Sequence, residues 1–112
     1  MPTWGPLGRD VFDRTYSRRR PDGGRETWEQ TTERVVDGNV ALVGPEFIEP
    51  GEVEALKAHL SDFSLLPGGR HLWVSGVEGR QFLFNCHRAG WGNHLADHFC
   101  FTFNELMKGG GV

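Results

Sequence analysis

The side chains most able to do chemistry are two thiols, Cys86 and Cys100, and five imidazoles, among which His87 follows Cys86 directly and His94 and His98 stand four apart. A thiol can serve as nucleophile, as metal ligand or as half of a redox pair. It can equally fill space in a core as a small apolar group. Position alone leaves both readings of Cys86 open. Cys100, set between Phe99 and Phe101, is expected to be buried in a core. A Cys86–Cys100 disulfide would need Cα atoms within ~7 Å, which sequence does not establish. Zinc accepts the ligand types of Cys86, His94 and His98. Their spacing matches no compact zinc pattern, so no metal site is expected. Lys108-Gly109-Gly110-Gly111 offers backbone amides to an anion. It follows a helix, however, whereas phosphate loops of the common type precede one, and an ordinary glycine helix stop accounts for it.

These residues need elements to hold them. Residues 25 to 37 read as a helix, with Trp28, Thr32, Val35 and Val36 on one face and Gly38 as its C-terminal stop. A second helix is expected from near Pro50, because proline suits a first turn. Val53, Leu56, Leu60 and Phe63 line its buried side, and Pro67 follows its end. Residues 10 to 18 suggest a short extended piece around Val11, Phe12 and Tyr16. From Leu72 the period changes. Leu72-Trp73-Val74 and residues 81 to 86 are apolar and β-favouring, bounded by Gly76, Gly79 and Gly90. The second run is nearly continuous, as in a strand buried on both faces, and Cys86 closes it. A third helix is expected from His94 to Lys108, burying Leu95, Phe99, Thr102 or Phe103, and Leu106. A strand, a helix and a glycine turn suggest the first unit of a larger α/β sheet. One strand is no sheet, and Gly109–Gly111 lies one residue from the end, so the reading is of a structure continued elsewhere.

Composition sets wide bounds. The chain has 112 residues, 24% of them charged, and a formal net charge of −3, which suits a soluble domain without general attraction to nucleic acid or anionic membrane. No apolar run approaches a membrane span, and the first residues lack the regions of a signal peptide. Two cysteines do not make a secreted disulfide framework, so the cytosol is the expected compartment. Arg14, Arg18, Arg19, Arg20 and Arg25 cluster early, and those at 18 to 20 read as a solvated face.

An ordered set of motifs says more than any one feature. Trp4-Gly5-Pro6-Leu7-Gly8 precedes Arg14-Thr15-Tyr16-Ser17-Arg18. Glu26-Thr27-Trp28-Glu29 runs into Glu33-Arg34-Val35-Val36-Asp37-Gly38-Asn39. Gly69 to Gly76, Asn85-Cys86, and Phe103 to Val112 complete the series. The succession resembles the N-terminal part of the monomeric class II ribonucleotide reductases, with residues 40 to 66 matching only loosely. The resemblance implies a helical lead-in over 1–75, followed in 76–112 by the first strand and helix of a ten-stranded α/β barrel. It implies ribonucleoside triphosphates as substrates, adenosylcobalamin as cofactor with a site mostly outside these residues, and a thioredoxin-type reductant. Cys86 would then be one of two thiols that close to a disulfide as ribose is reduced. Its partner, and the cysteine that carries the radical, would belong to the remainder of the protein. Asn85, Gly109, Gly110 and Gly111 would line the substrate site through backbone contacts. Some relatives carry an aromatic residue after the redox cysteine, where this sequence has His87. Two rival readings remain: a small stand-alone module binding a metal or partner, and a helical interaction domain without chemistry.

Overall fold

The computed structural model describes residues 2–79, 83–84 and 86–109. The chain divides into two compact units, Met1–Gln81 and Phe82–Val112.

The first unit is helical. A single turn, α1 (Gly8–Val11), runs into a π-helical turn at Phe12–Tyr16. The extended piece expected around Val11, Phe12 and Tyr16 is therefore helical, because the π turn aims Phe12 inward, where it is buried. An antiparallel bridge joins Arg19 to Arg25 across the Pro21–Gly24 turn. Next comes α2 (Trp28–Val43). Its start is a capping box, in which the Thr27 hydroxyl accepts from the Gln30 amide at 3.3 Å and the Gln30 side chain accepts from the Thr27 amide at 3.0 Å.

Gly38 does not stop α2; the helix continues to Gly44, whose φ of 104° terminates it. Gly38 serves another purpose. A Cβ there would lie 2.3 Å from the Gly76 nitrogen and 2.5 Å from its Cα, so only glycine lets the Gly76 turn touch the helix. A 3-10 turn (Pro45–Phe47) leads to α3 (Glu52–Ser61), which starts two residues after Pro50, with Gly51 in the left-handed region at its N-terminus. Leu72-Trp73-Val74, β-favouring by composition, lies in α4 (Gly69–Val74). Packing overrides local preference there: Leu72 and Val74 are both buried.

Phe12, Trp28, Val35, Val36, Leu60 and Leu72 form the core. Four rings fasten it edge to face. Trp4 and Phe63 have centroids 4.8 Å apart, Trp28 and Phe63 5.2 Å, and Phe12 and Trp28 5.4 Å. Each such pair is worth about 0.5–1.5 kcal/mol beyond its burial. The Trp28 indole, inside this cluster, donates to the Ser61 carbonyl at 3.0 Å, which ties α2 to the end of α3.

The second unit contains α5 (Leu95–Met107). Gln81, Phe82 and Asn85 of the expected strand, and Gly110 and Gly111 of the glycine run, lie outside the described residues. Leu83 and Phe84 are in no regular element. Among the described residues no helix is long and apolar enough to cross a membrane.

Candidate functional site

The motifs that are scattered along the sequence of the first unit meet in one polar joint. Arg34 of α2 grips Glu26 with two nitrogens, Nε to Oε1 at 2.7 Å and an NH2 to Oε2 at 2.9 Å. The same guanidinium donates to the carbonyls of Ser75, at 2.7 Å, and Leu72, at 2.8 Å, so it also caps the end of α4. Thr31 donates its hydroxyl to Glu26 Oε2, the Arg18 amide donates to the same oxygen, and Ser17 donates to the Glu26 carbonyl. Burial pushes the Glu26 carboxyl up, but the hydrogen bond and charge of Arg34 outweigh it and hold the group below its ordinary value of 4.5. Arg18 is not merely solvated: its guanidinium donates to the Trp73 carbonyl at 2.8 Å and lies 4.6 Å from the Trp73 ring. Asn39 donates to the Ser75 hydroxyl at 3.1 Å. Gly69 lets the Tyr16 ring approach, since a Cβ would fall 2.6 Å from its hydroxyl oxygen. These motif residues hold the unit together. Sequence alone does not pair Glu26 with Arg34, because its signal is only two opposite charges eight residues apart, one before α2 and one within it.

The groups able to do chemistry lie in the second unit. Cys86 carries a free, exposed thiol. Cys100 is also free and exposed, so it does not fill a core as its phenylalanine neighbours suggested. The expected buried stripe of α5 is exposed as well: Leu95, Phe99, Phe103 and Leu106 all face outward. Periodicity locates an apolar stripe; it does not say whether the residues that cover it belong to the same segment. The buried residue of α5 is Glu105. Its Oε2 is 3.6 Å from His87 Nε2 and its Oε1 is 3.0 Å from the Lys108 ammonium. His98 stacks on Trp91 with ring centroids 4.0 Å apart. Among the described residues no group of three or more His, Cys, Asp or Glu side chains is arranged to hold a metal, so Cys86, His94 and His98 do not converge. Gly109 has a φ of 93° and donates its amide to the Leu106 carbonyl at 2.9 Å, as a helix-ending glycine does.

Known proteins resolve what the polar joint and the thiol belong to. The model of the ribonucleotide reductase alpha domain matches residues 1–77. The chain belongs to the ribonucleotide reductase family. It is 57% identical, over 97% of its length, to a candidate adenosylcobalamin-dependent ribonucleoside-triphosphate reductase of Mycobacterium phage D29. It is 33% identical over 143 aligned positions to the adenosylcobalamin-dependent ribonucleoside-triphosphate reductase of Lactobacillus leichmannii, covering 99% of this chain. That alignment exceeds the chain's own 112 residues, so the lactobacillar reductase carries additional residues within the matched region. A crystal structure of a B12-dependent class II ribonucleotide reductase superposes on the whole chain with a TM-score of 0.72 at 30% identity. The chain spans 16% of the phage reductase, 19% of the lactobacillar one and 20% of the solved chain.

The cofactor in those names needs a large polar site, and two of the grooves of the first unit are apolar. One, of about 400 Å³, is lined mainly by apolar side chains such as Val36, Val40, Phe47 and Leu56, with Asn39, Glu52 and His71 as its polar groups. The other, of about 470 Å³, is walled by Trp4, Phe12, Trp28, Phe63 and other apolar residues. Both have the size of a small-ligand site. A corrinoid fringed with amide groups is much larger and needs many polar partners, so neither groove fits it.

Proposed function

We propose that the chain is the N-terminal segment of an adenosylcobalamin-dependent ribonucleoside-triphosphate reductase and that Cys86 is one of its two redox-active thiols. The observation that carries this reading is the 57% identity to the phage reductase over 97% of the chain, with no large gap. In the proposal residues 1–75 are the helical lead-in. The first strand and helix of a ten-stranded α/β barrel begin in residues 76–112, and the remainder of the protein completes that barrel. The exposed thiol of Cys86 supports a chemical role over a packing one. So do the outward Leu95, Phe99, Phe103 and Leu106, a stripe too apolar to stay bare in a finished enzyme.

Reducing the ribose 2′ carbon expels its hydroxyl as water and consumes two electrons. Two thiols supply both electrons and two protons as they close to a disulfide. A thioredoxin-type dithiol in the cytosol then reopens it. An adenosylcobalamin held by the rest of the protein would supply the radical chemistry. Asn85, Gly109, Gly110 and Gly111 are assigned to the substrate cleft through their backbones. This segment alone is inactive, since it holds one thiol of the pair. The test uses the full-length protein. Cys86→Ser is expected to abolish multiple turnover with a thioredoxin-type reductant while leaving nucleotide binding intact; full multiple turnover in that variant refutes the assignment.

A further inference from the structure

α5 is inverted relative to an ordinary surface helix. Its large apolar residues Leu95, Phe99, Phe103 and Leu106 face outward, while Glu105 is only 8% exposed. An exposed apolar residue is commonplace, but a carboxylate withdrawn from water is not, and it needs charged or hydrogen-bonding partners. Glu105 has two. Lys108, one turn on, lies 3.0 Å from Oε1, and His87 Nε2 lies 3.6 Å from Oε2. The carboxylate and imidazole side chains are 10% and 15% exposed, so the pair is shielded where a surface pair would be screened. Phe101, also on α5, presents its ring edge-on to the imidazole at 6.5 Å. Beside Lys108, the neighbour of this buried acid is therefore the residue covalently next to Cys86.

We propose that Glu105 is a positioning residue for Cys86: by holding the His87 ring against α5, it fixes the backbone that carries the neighbouring thiol. The inference rests on the redox assignment of Cys86. Consecutive Cα atoms are ~3.8 Å apart, so anchoring one residue leaves the next little freedom. Residues 87–92 carry no regular secondary structure, and the contacts of the His87 ring with Glu105 and Phe101 are among those that hold the chain beside Cys86. Placement matters most when the oxidised pair is reopened. A thiolate of the dithiol reductant attacks one sulfur of the disulfide and the S–S bond breaks. The departing sulfur leaves with the electron pair and takes a proton, and the reductant's second thiol then closes the reductant to its own disulfide. Attack depends on which sulfur is accessible and on alignment along the S–S bond, and both are set by where Cys86 is held.

A double-mutant cycle in the full-length protein tests this. Glu105→Gln and His87→Ala are each expected to lower kcat of dithiol-driven turnover on the order of tenfold while leaving the nucleotide KM unchanged. The double variant should be no slower than either single one, because the two residues act as one device. Glu105→Asp, which keeps the charge, should recover part of the rate and replaces Glu105→Gln in the cycle if that variant does not fold. Wild-type turnover in Glu105→Gln, or a double loss equal to the product of the two single losses, overturns the positioning role. Cys86→Ser separates this from the reading beneath it. If that variant is inactive while Glu105→Gln is normal, only the positioning role fails; if it turns over fully, the redox assignment itself fails.

Discussion

The two units withdraw opposite kinds of side chain from water. Met1–Gln81 buries Phe12, Trp28, Val35, Val36, Leu60 and Leu72 and pairs its inner charges, Glu26 and Arg34, bidentately. On α5 of Phe82–Val112, the buried residue is a carboxylate and six large apolar side chains are exposed. The first pattern is that of a unit whose core is its own. The second suits a segment whose apolar face is covered by other parts of a larger protein, and it is the segment that carries the exposed thiol.

The largest effect should come from breaking the joint of the first unit. Arg34→Met strands a mostly buried Glu26 carboxylate and is expected to cost about 3–5 kcal/mol in urea unfolding followed by tryptophan fluorescence. A loss below ~1 kcal/mol would make the joint peripheral. Gly38→Ala comes next. Alanine is the better helix former by about 1 kcal/mol, so local preference favours the change. The added Cβ would collide with the Gly76 backbone, and a net loss of about 1–3 kcal/mol is expected. A gain in stability would show that the Gly38–Gly76 contact is loose.

A smaller, pH-dependent effect follows from Glu26. Its carboxyl is held below its ordinary 4.5, so its stabilising contribution is complete above that value and is lost as pH falls through the depressed one. The unfolding midpoint of the first unit should hold from neutral pH down to the ordinary carboxylate range and decline below it. Arg34→Met should flatten that decline, and an unchanged acid limb would assign it to other carboxylates. The smallest effect belongs to the second unit. Phe99→Ser should shift the stability of this 112-residue chain by no more than about 0.5 kcal/mol, because the ring is 58% exposed. The same change should clearly reduce the thermal stability of the full-length protein if, as proposed, the stripe is covered there. Equal effects in both would remove the contrast between the units.

The sequence was most readable where local pattern and final packing agree. Trp28, Val35 and Val36 at helical spacing marked α2, and Val53, Leu56 and Leu60 marked α3. It misled where a long-range partner decides the outcome. Gly38 looked like a helix stop because glycine is locally weak in helices, yet its role is to admit Gly76, thirty-eight residues away. Leu72-Trp73-Val74 is β-favouring by composition but coils to place Leu72 and Val74 inward and to offer its end carbonyls to Arg34. Cys100 and the stripe of α5 were expected inside because periodicity reports a face and not its cover. Cys86 stood out through its neighbours in sequence. Glu105 did not, because a glutamate three residues before a lysine on a helix ordinarily reads as a surface pair.

The central claim is that Cys86 is half of a redox pair, and one measurement reaches it directly. The full-length protein is reduced, freed of reductant, and allowed a single turnover with a ribonucleoside triphosphate and adenosylcobalamin. Free thiols are then alkylated and the peptides mapped by mass spectrometry. Cys86 should be recovered in a disulfide with a cysteine from the remainder of the protein, and alkylated in a control without nucleotide. Recovery of Cys86 as the alkylated thiol after product has formed would contradict the account.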